Sequence, residues 1–427
     1  MAESLSRADC VALDAADPLA PLREQFTLPE GVNYLDGNSL GVLPAATPAR
    51  VAEVVQREWG EGLIRSWNTA GWITLSQRVG DKIARLVGAG GGELVAADST
   101  SVNLFKALSA AIGIAKEDGA GRKLILSERS NFPTDLYIAQ SLARQHGFEL
   151  ELVASDEIAA RLDERVAVLM LTQVNYRTGA IHDMAALTAQ AHRVGALALW
   201  DLCHSAGAIP VDLKGADADF AVGCGYKYLN GGPGSPAFVW AHPRHVDRFW
   251  QPLSGWMGHA SPFTFDTAYR PAEGVSRYLC GTPPIIGLAA LECGVDTLLA
   301  AEPLGGMAAL RAKSVALSEL FLAQVAARCD GLGLASVSPA DPARRGSQVS
   351  LSSAQAPGYA AMQALIERSV IGDFRAGAHG EPDLLRFGFT PLYTRYVDVH
   401  DAATALAEIL TTGQWREARF NQKAAVT

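Results

Sequence analysis

Apolar positions in this chain follow two rhythms. Leu124-Ile-Leu126, Val166-Ala-Val-Leu-Met-Leu171 and Ala196-Leu-Ala-Leu-Trp200 are continuous apolar runs of strand length. A strand buried on both faces reads this way. Between them, residues 134–146 and 184–194 carry helix-like spacing. From about residue 80 to about residue 290 the two patterns alternate. That alternation predicts an α/β fold with a mainly parallel sheet covered by helices on both faces. Upstream, residues 46–68 read as a helix with apolar Val51, Val54, Val55, Trp59 and Leu63, and Tyr34-Leu-Asp-Gly-Asn-Ser-Leu-Gly41 reads as a polar loop.

The rhythm changes towards the C-terminus. Residues 300–328 predict a long amphipathic helix, Gln348-Val-Ser-Leu-Ser352 a strand and 358–369 a helix. Leu384-Leu-Arg-Phe-Gly-Phe389 predicts another strand and 398–412 a last helix. This order suggests a smaller α+β domain. The expected division is 1–45, a segment joining the small domain; 46–295, a large cofactor-binding domain; and 296–427, the small domain. A chain of 427 residues is too long for one ordinary core.

Composition narrows the function. The chain is 49% hydrophobic and 19% charged, as folded proteins are. Its net charge of −9 and lack of a basic cluster argue against nucleic acid as a partner. No apolar run reaches membrane-span length, and the N-terminus lacks a basic region followed by an apolar one. A cytoplasmic location is expected. The six cysteines form no Cys-x-x-Cys pair, and the nine histidines show no His-x-x-x-His spacing. Reduced thiols and no metal site are expected.

The chemistry begins at Lys227, in Cys224-Gly-Tyr-Lys-Tyr-Leu-Asn-Gly-Gly-Pro-Gly-Ser-Pro236. Short apolar stretches lead in, at Asp217–Gly225, and out, at Pro236–Trp240. The glycines between them permit close approach of a ligand to the backbone. Upstream, the run ending at Trp200 delivers Asp201. A lysine amine can form a Schiff base with pyridoxal phosphate, and an acid at a strand end can keep the pyridine nitrogen protonated. The protonated ring then accepts electrons from a substrate carbanion.

Other candidates fall where ligands of such sheets bind, beyond the carboxyl ends of the strands. Asp98-Ser-Thr-Ser101 precedes an apolar-periodic helix and suits either a phosphate site or an ordinary N-cap. Phe132 could stack on a planar ring or pack as a buried loop aromatic, and Asp135 could simply begin a helix. His204 could bond a cofactor oxygen or pack locally. Arg386 is a lone cation in an apolar strand. It needs an anion, either a substrate carboxylate or an internal Asp or Glu.

Tyr226-Lys-Tyr-Leu-Asn with its Gly-Pro-Gly tail resembles the kynureninase family of fold-type I pyridoxal phosphate enzymes, in the class-V aminotransferase group. So do Phe132-Pro-Thr-Asp135, Asp201-Leu-Cys-His204, Gly255-Trp256, Gly281-Thr-Pro-Pro284 and Leu385-Arg-Phe-Gly-Phe-Thr-Pro-Leu-Tyr393. The matches run in family order from Tyr34 onward. The resemblance implies a large domain with a mainly parallel, seven-stranded-type sheet, pyridoxal 5'-phosphate as cofactor and hydrolysis of L-kynurenine to anthranilate and L-alanine. It also implies a homodimer with its active site at the interface.

The same resemblance gives Thr100 and Ser101 to the phosphate, Phe132 to the ring face and Thr172 to the ring substituents. Asp135 and Asp201 lie near the pyridine nitrogen, and His204 lies against the cofactor. Tyr226 touches the phosphate, and Lys227 is the Schiff-base residue; separately from the resemblance, acid–base help is needed at the substrate's ketone, and Tyr226 is the candidate for it. Trp256 and Thr282 approach from the partner chain. Arg386 is preferred to Arg375, on the variable segment 375–383, as ligand of the substrate carboxylate. Trp67 and Gly281 shape the substrate's ring pocket, in the manner of bacterial members. A competing reading is a cysteine desulfurase-like lyase, for which Cys329 is the candidate thiol. A non-catalytic cofactor-binding regulator would need a DNA-binding part that this acidic chain lacks.

Overall fold

The computed structural model describes residues 5–377 and 380–422. The strands in chain order are β1 (Asn33–Tyr34), β2 (Leu94–Ala97), β3 (Leu124–Glu128), β4 (Glu149–Val153), β5 (Val166–Thr172), β6 (Leu197–Asp201), β7 (Phe220–Gly223), β8 (Ala237–Ala241), β9 (Leu334–Ser336), β10 (Gln348–Ser353), β11 (Val370–Ile371), β12 (Asp373–Arg375) and β13 (Leu384–Gly388).

A seven-stranded sheet in the order β2-β8-β7-β6-β5-β3-β4 forms the centre. Pairings from β4 across to β7 are parallel, and β8 is antiparallel to both neighbours. The expected apolar runs became β3, β5 and β6, because side chains of both faces are buried. Leu124 and Leu126 enter one apolar cluster with Val79, Ile83 and Leu288, while Ile125 enters the opposite one with Leu104, Leu108 and Leu142. The alternation of Cβ directions along a strand divides them in this way.

Two edges of the sheet were not foreseen. In β4 the sequence Glu-Leu-Glu-Leu-Val alternates, as an edge strand with a wet face does, and β2 is only four residues long. The helix expected over 46–68 is broken. An α-helix spans Thr47–Glu53, a π-helical stretch spans Val54–Gly62, and shorter turns follow. Of its apolar residues Val54 is buried, while Val55, Trp59 and Leu63 are exposed. The helix expected from residue 300 starts at Gly306. Gly305 and Gly306 both take positive φ and separate it from the helix Ile285–Leu299.

A four-stranded antiparallel sheet, β12-β13-β10-β9, packs with the helices Gly306–Arg328, Gly358–Glu367 and Tyr396–Thr412. Phe321, Phe387, Phe389 and Leu406 lie in its core. The N-terminal segment attaches here. Arg7 pairs with Asp401 at 2.9 Å, and β1 runs parallel to β11. The Tyr34–Gly41 loop then crosses to the large sheet, where the Gly41 N–H donates to the Tyr226 carbonyl at 2.8 Å. Among the described residues, no helix is long and apolar enough to cross a membrane.

Candidate active site

The carboxyl ends of β5 and β6 and the β7–β8 connection open on one cavity. Thr100, Ser101, Phe132, Asp135, Thr172, Asp201, His204, Tyr226 and Lys227 all line it. These residues come from widely separated parts of the chain, so their convergence is a property of the fold. Sequence reasoning missed Thr134, Tyr176 and Cys203, which line the same space. Thr134 and Cys203 stood inside motifs already noted, while Tyr176, four positions beyond Thr172, carried no signal.

Each group is fixed by its element. Ser99 caps the helix Thr100–Glu117, accepting from the Val102 N–H. The capped first turn faces the cavity with Thr100 and Ser101, where free N–H groups and the helix dipole favour an anion. The ordinary N-cap is thus present in the same segment that was read as a candidate phosphate site. Asp201 ends β6, and its Oδ1 accepts from the Cys203 N–H at 2.6 Å. Asp135 lies in the first turn of Pro133–His146. Thr172 Oγ1 stands 3.5 Å from Asp135 Oδ2 and 3.4 Å from Asp201 Oδ2.

Burial, reinforced by repulsion from Asp201, raises the Asp135 carboxyl well above the usual carboxylate range. Lys227 only partly offsets this. Two buried carboxyls without a guanidinium between them call for a cation.

Lys227 Nζ lies 2.9 Å from His204 Nε2, and His204 Nδ1 lies 3.1 Å from Gln348 Oε1. Donation from Nδ1–H to Gln348 leaves Nε2 as acceptor for the lysine. Burial first, and Lys227 second, push the imidazole well below its ordinary range, so it is neutral at neutral pH. The lysine amine sits 5.8 Å from the Phe132 ring centre and 5.7 Å from that of Tyr226. Burial, aided by the Cys224 thiol, holds the Tyr226 phenol protonated far above neutrality.

Two of the glycines around Lys227 are tightly packed. A Cβ on Gly225 would meet the Pro236 carbonyl at 2.2 Å, and one on Gly231 would meet Ser235 Oγ at 2.3 Å. They let the turn fold against itself, which in turn aims Lys227 at the cavity.

Arg386 is not a lone cation. It is buried and pairs with Asp373 on the adjacent strand β12. Its Nη1 also donates to the Tyr176 carbonyl at 2.7 Å, and its Nη2 to Ser39 Oγ at 2.8 Å. Arg386 thus has an internal anion within the chain, and its Tyr176 contact sets it behind a residue that lines the cavity. Arg375 pairs with the same Asp373 at 2.9 Å and is partly exposed. Of the segment 375–383 that contains it, residues 378 and 379 lie outside the described residues.

The remaining candidates stand apart from Lys227. Gly281 and Thr282 line a separate hollow of about 340 Å³ with Asp98 and Met257. Trp256 is exposed and stacks on Phe265. Trp67 packs against the large-domain core, edge-on to Trp72 with ring centres 6.2 Å apart. Cys329 is buried in the small-domain core, and burial raises its thiol to about 11. It offers no reactive thiolate to the cavity.

Similar proteins agree with this geometry. A family model described as kynureninase C-terminal domain matches residues 310–406. The kynureninase of Pseudomonas fluorescens is 54% identical over 425 residues, covering 99% of this chain and 100% of the relative. That of Burkholderia pseudomallei (strain K96243) is 54% identical over the same shares. Among solved structures, the apo cysteine desulfurase of Thermococcus onnurineus NA1 superposes with a TM-score of 0.76 at 20% identity, covering 92% of this chain and 98% of that one. The cystine C-S lyase C-DES, in complex with cysteine persulfide, gives 0.72 at 17%, covering 89% and 98%. These last two show the shared fold, that of fold-type I pyridoxal phosphate enzymes. The full-length likeness to the curated relatives places this chain in the kynureninase family.

Proposed function

We propose that the chain hydrolyses L-kynurenine to anthranilate and L-alanine with pyridoxal 5'-phosphate as cofactor. One observation carries the reading in a family member of this kind. One cavity unites an amine (Lys227), a buried carboxyl pair (Asp135 and Asp201) and a capped helix N-terminus (Thr100, Ser101). These three features fit the aldehyde, the pyridinium nitrogen and the phosphate of that cofactor. When bound, the cofactor supplies an electron sink for charge developing on the substrate's α-carbon.

The protein's own groups do the rest. Lys227 would hold the cofactor covalently and, once released, take the α-proton on Nζ. His204 Nε2, neutral and 2.9 Å away, accepts a hydrogen bond from that amine and fixes its direction. Asp201, held by the Cys203 N–H and Thr172, would be the partner of the pyridine nitrogen. Phe132 and Tyr176, edge-on with ring centres 5.2 Å apart, line the cavity wall, and Phe132 would pack on the cofactor ring. Tyr226 keeps its proton and is the donor at the substrate's ketone oxygen as water adds. Arg386, bonded to the carbonyl of the cavity-lining Tyr176, would receive the substrate carboxylate.

The homodimer belongs to the same proposal. Trp256, Phe263 and Phe265 form an exposed aromatic group next to Gly255 and the 280–282 turn. Exposed apolar surface of this kind supports burial by a second copy, which would bring Trp256 and Thr282 to the partner's cavity. The desulfurase-like alternative is not favoured, because Cys329 is buried away from the site. The test is direct. The purified protein with added pyridoxal phosphate should release fluorescent anthranilate from L-kynurenine, and failure to do so at any pH between about 6 and 9 would refute the assignment.

A further inference from the structure

The helix Thr100–Glu117 carries a lysine where its neighbours are apolar. Leu104, Ala107 and Leu108 enter the large-domain core, and Lys106 among them has no exposed surface. A buried ammonium persists only where an anion and acceptors surround it. Both are in place. Lys106 Nζ donates to Asp98 Oδ2 and to the Tyr278 carbonyl, each at 2.5 Å. Tyr278 is itself fully buried, at the end of the short helix Gly274–Tyr278. A methionine would fill the core here with no charge to bury, so packing alone does not call for a lysine.

Asp98 is the residue that needs holding. Its φ of 49° is left-handed backbone, which few residues other than glycine adopt. It stands where β2 ends and the chain turns into the helix, one residue before the cap Ser99. Three contacts fix this turn. The Asp98 carbonyl accepts from the Ala237 N–H of β8 at 2.9 Å. The Ala97 carbonyl accepts from Asn103 Nδ2 at 2.8 Å. The Asp98 carboxylate takes the Lys106 ammonium. Ser99, Asn103 and Lys106 are spaced four and then three positions apart, on one face of the helix, so the helix reaches back from one and two turns further on to the loop that starts it. Thr100 and Ser101 follow directly and line the Lys227 cavity.

We propose that Lys106 is a positioning residue for the cofactor's phosphate: anchored on the Tyr278 carbonyl, its ammonium holds Asp98 in the left-handed turn that aims Thr100 and Ser101 into the cavity. The inference deepens the proposed function and rests on Thr100 and Ser101 receiving the phosphate. Lys106 does not line the cavity, so it acts through Asp98. Its loss should weaken recognition of the phosphate and spare that of the rest of the cofactor, whereas a general role in the core would weaken both.

The experiment separates these two effects. Pyridoxal 5'-phosphate and pyridoxal, the same aldehyde without the phosphate, are titrated into the full chain freed of cofactor, and cofactor absorbance gives both affinities. In Lys106→Met the affinity for pyridoxal phosphate should fall roughly tenfold or more, while that for pyridoxal changes by less than about twofold. Equal losses for the two ligands, or an unchanged affinity for both, overturn the proposal. Should Lys106→Met not fold, Asp98→Asn decides. The Asp98 carboxyl is partly exposed, beside the hollow that Gly281 and Thr282 line, and an amide of the same size fits there. It should show the same selective loss, and an unchanged ratio of the two affinities overturns the role of the pair. A wild type that holds pyridoxal as tightly as pyridoxal phosphate overturns the phosphate reading of Thr100 and Ser101, and this inference with it. A wild type that prefers the phosphate, with variants that prefer it equally, upholds that reading and removes Lys106 alone.

Discussion

Two groups of buried carboxyls adjoin the region of Lys227, and they are compensated in opposite ways. Asp135 and Asp201 meet through Thr172 with no guanidinium between them, and the Asp135 carboxyl is pushed up strongly. Asp373 pairs with two arginines, Arg375 and Arg386. The first group has no guanidinium, the second has two. A buried carboxyl pair left in this way states the sign of the ligand it is built for. The proposed site is accordingly polarised, with one end demanding a cation, as a pyridinium is, and the other offering arginines to a substrate carboxylate.

The harshest way to break this comparison is to remove the group between the two ends. Lys227→Ala should lower turnover by about 10³-fold or more, since nucleophile and base are lost together. Borohydride reduction of the wild-type holoenzyme, followed by peptide mapping, should place the pyridoxyl label on Lys227. A label on another lysine would remove the assignment.

The anionic end is tested next, by treating its two members separately. Asp201→Asn should retain the fold and lose ~2–4 kcal/mol of transition-state stabilisation, as for other preorganised charges. Asp135→Asn should cost far less, because an amide resembles the protonated carboxyl that burial already favours there. Equal losses in kcat would show that the pair acts as one unit and not as an ion with a neutral neighbour.

At the cationic end the expected effect is smaller. Arg386→Lys should raise KM for L-kynurenine ten- to hundredfold, in line with the ~1.5–3 kcal/mol of a charge-assisted hydrogen bond. Arg375, partly exposed, should tolerate the same change better. The reverse order of effects would move the carboxylate to Arg375.

What was legible beforehand follows from where the information resides. The core strands were readable because burial on both faces leaves no polar residue in β3, β5 or β6 before Ser127, Thr172 and Asp201 respectively. The cavity residues were readable as motifs, since each is a short local segment. Asp373 and Gln348 were not. Each acts by pairing with a residue distant in sequence, Asp373 with Arg386 across a strand register and Gln348 with His204 across the two sheets. Asp36 was read only as part of a polar loop, because nothing local announces that Leu35 will be clamped between Ile371 and Gly388. The stripe Val55, Trp59 and Leu63 misled for the opposite reason, having helical spacing while lying exposed.

The smallest expected effect concerns residues that the single chain keeps away from both charged ends. Trp67, Gly281 and Thr282 do not line the Lys227 cavity, and Gly281 has no atom within 4 Å of the place its Cβ would take. If a second copy brings this turn to the cavity, the substrate's ring meets an apolar indole and a short side chain. A ring hydroxyl would then lack a dedicated partner, and burying it unpaired costs about 1–3 kcal/mol. Kynurenine should therefore be preferred over 3-hydroxykynurenine by roughly ten- to hundredfold in kcat/KM. The triple variant Trp67→His, Gly281→Ser, Thr282→Asn should shift the preference toward the hydroxylated substrate. Gly281 can accept the serine, because its φ is not positive and the space is open. Equal efficiency of the wild type on both substrates, or no shift in the variant, would leave Trp67 as the core residue that its contacts with Trp72 already make it.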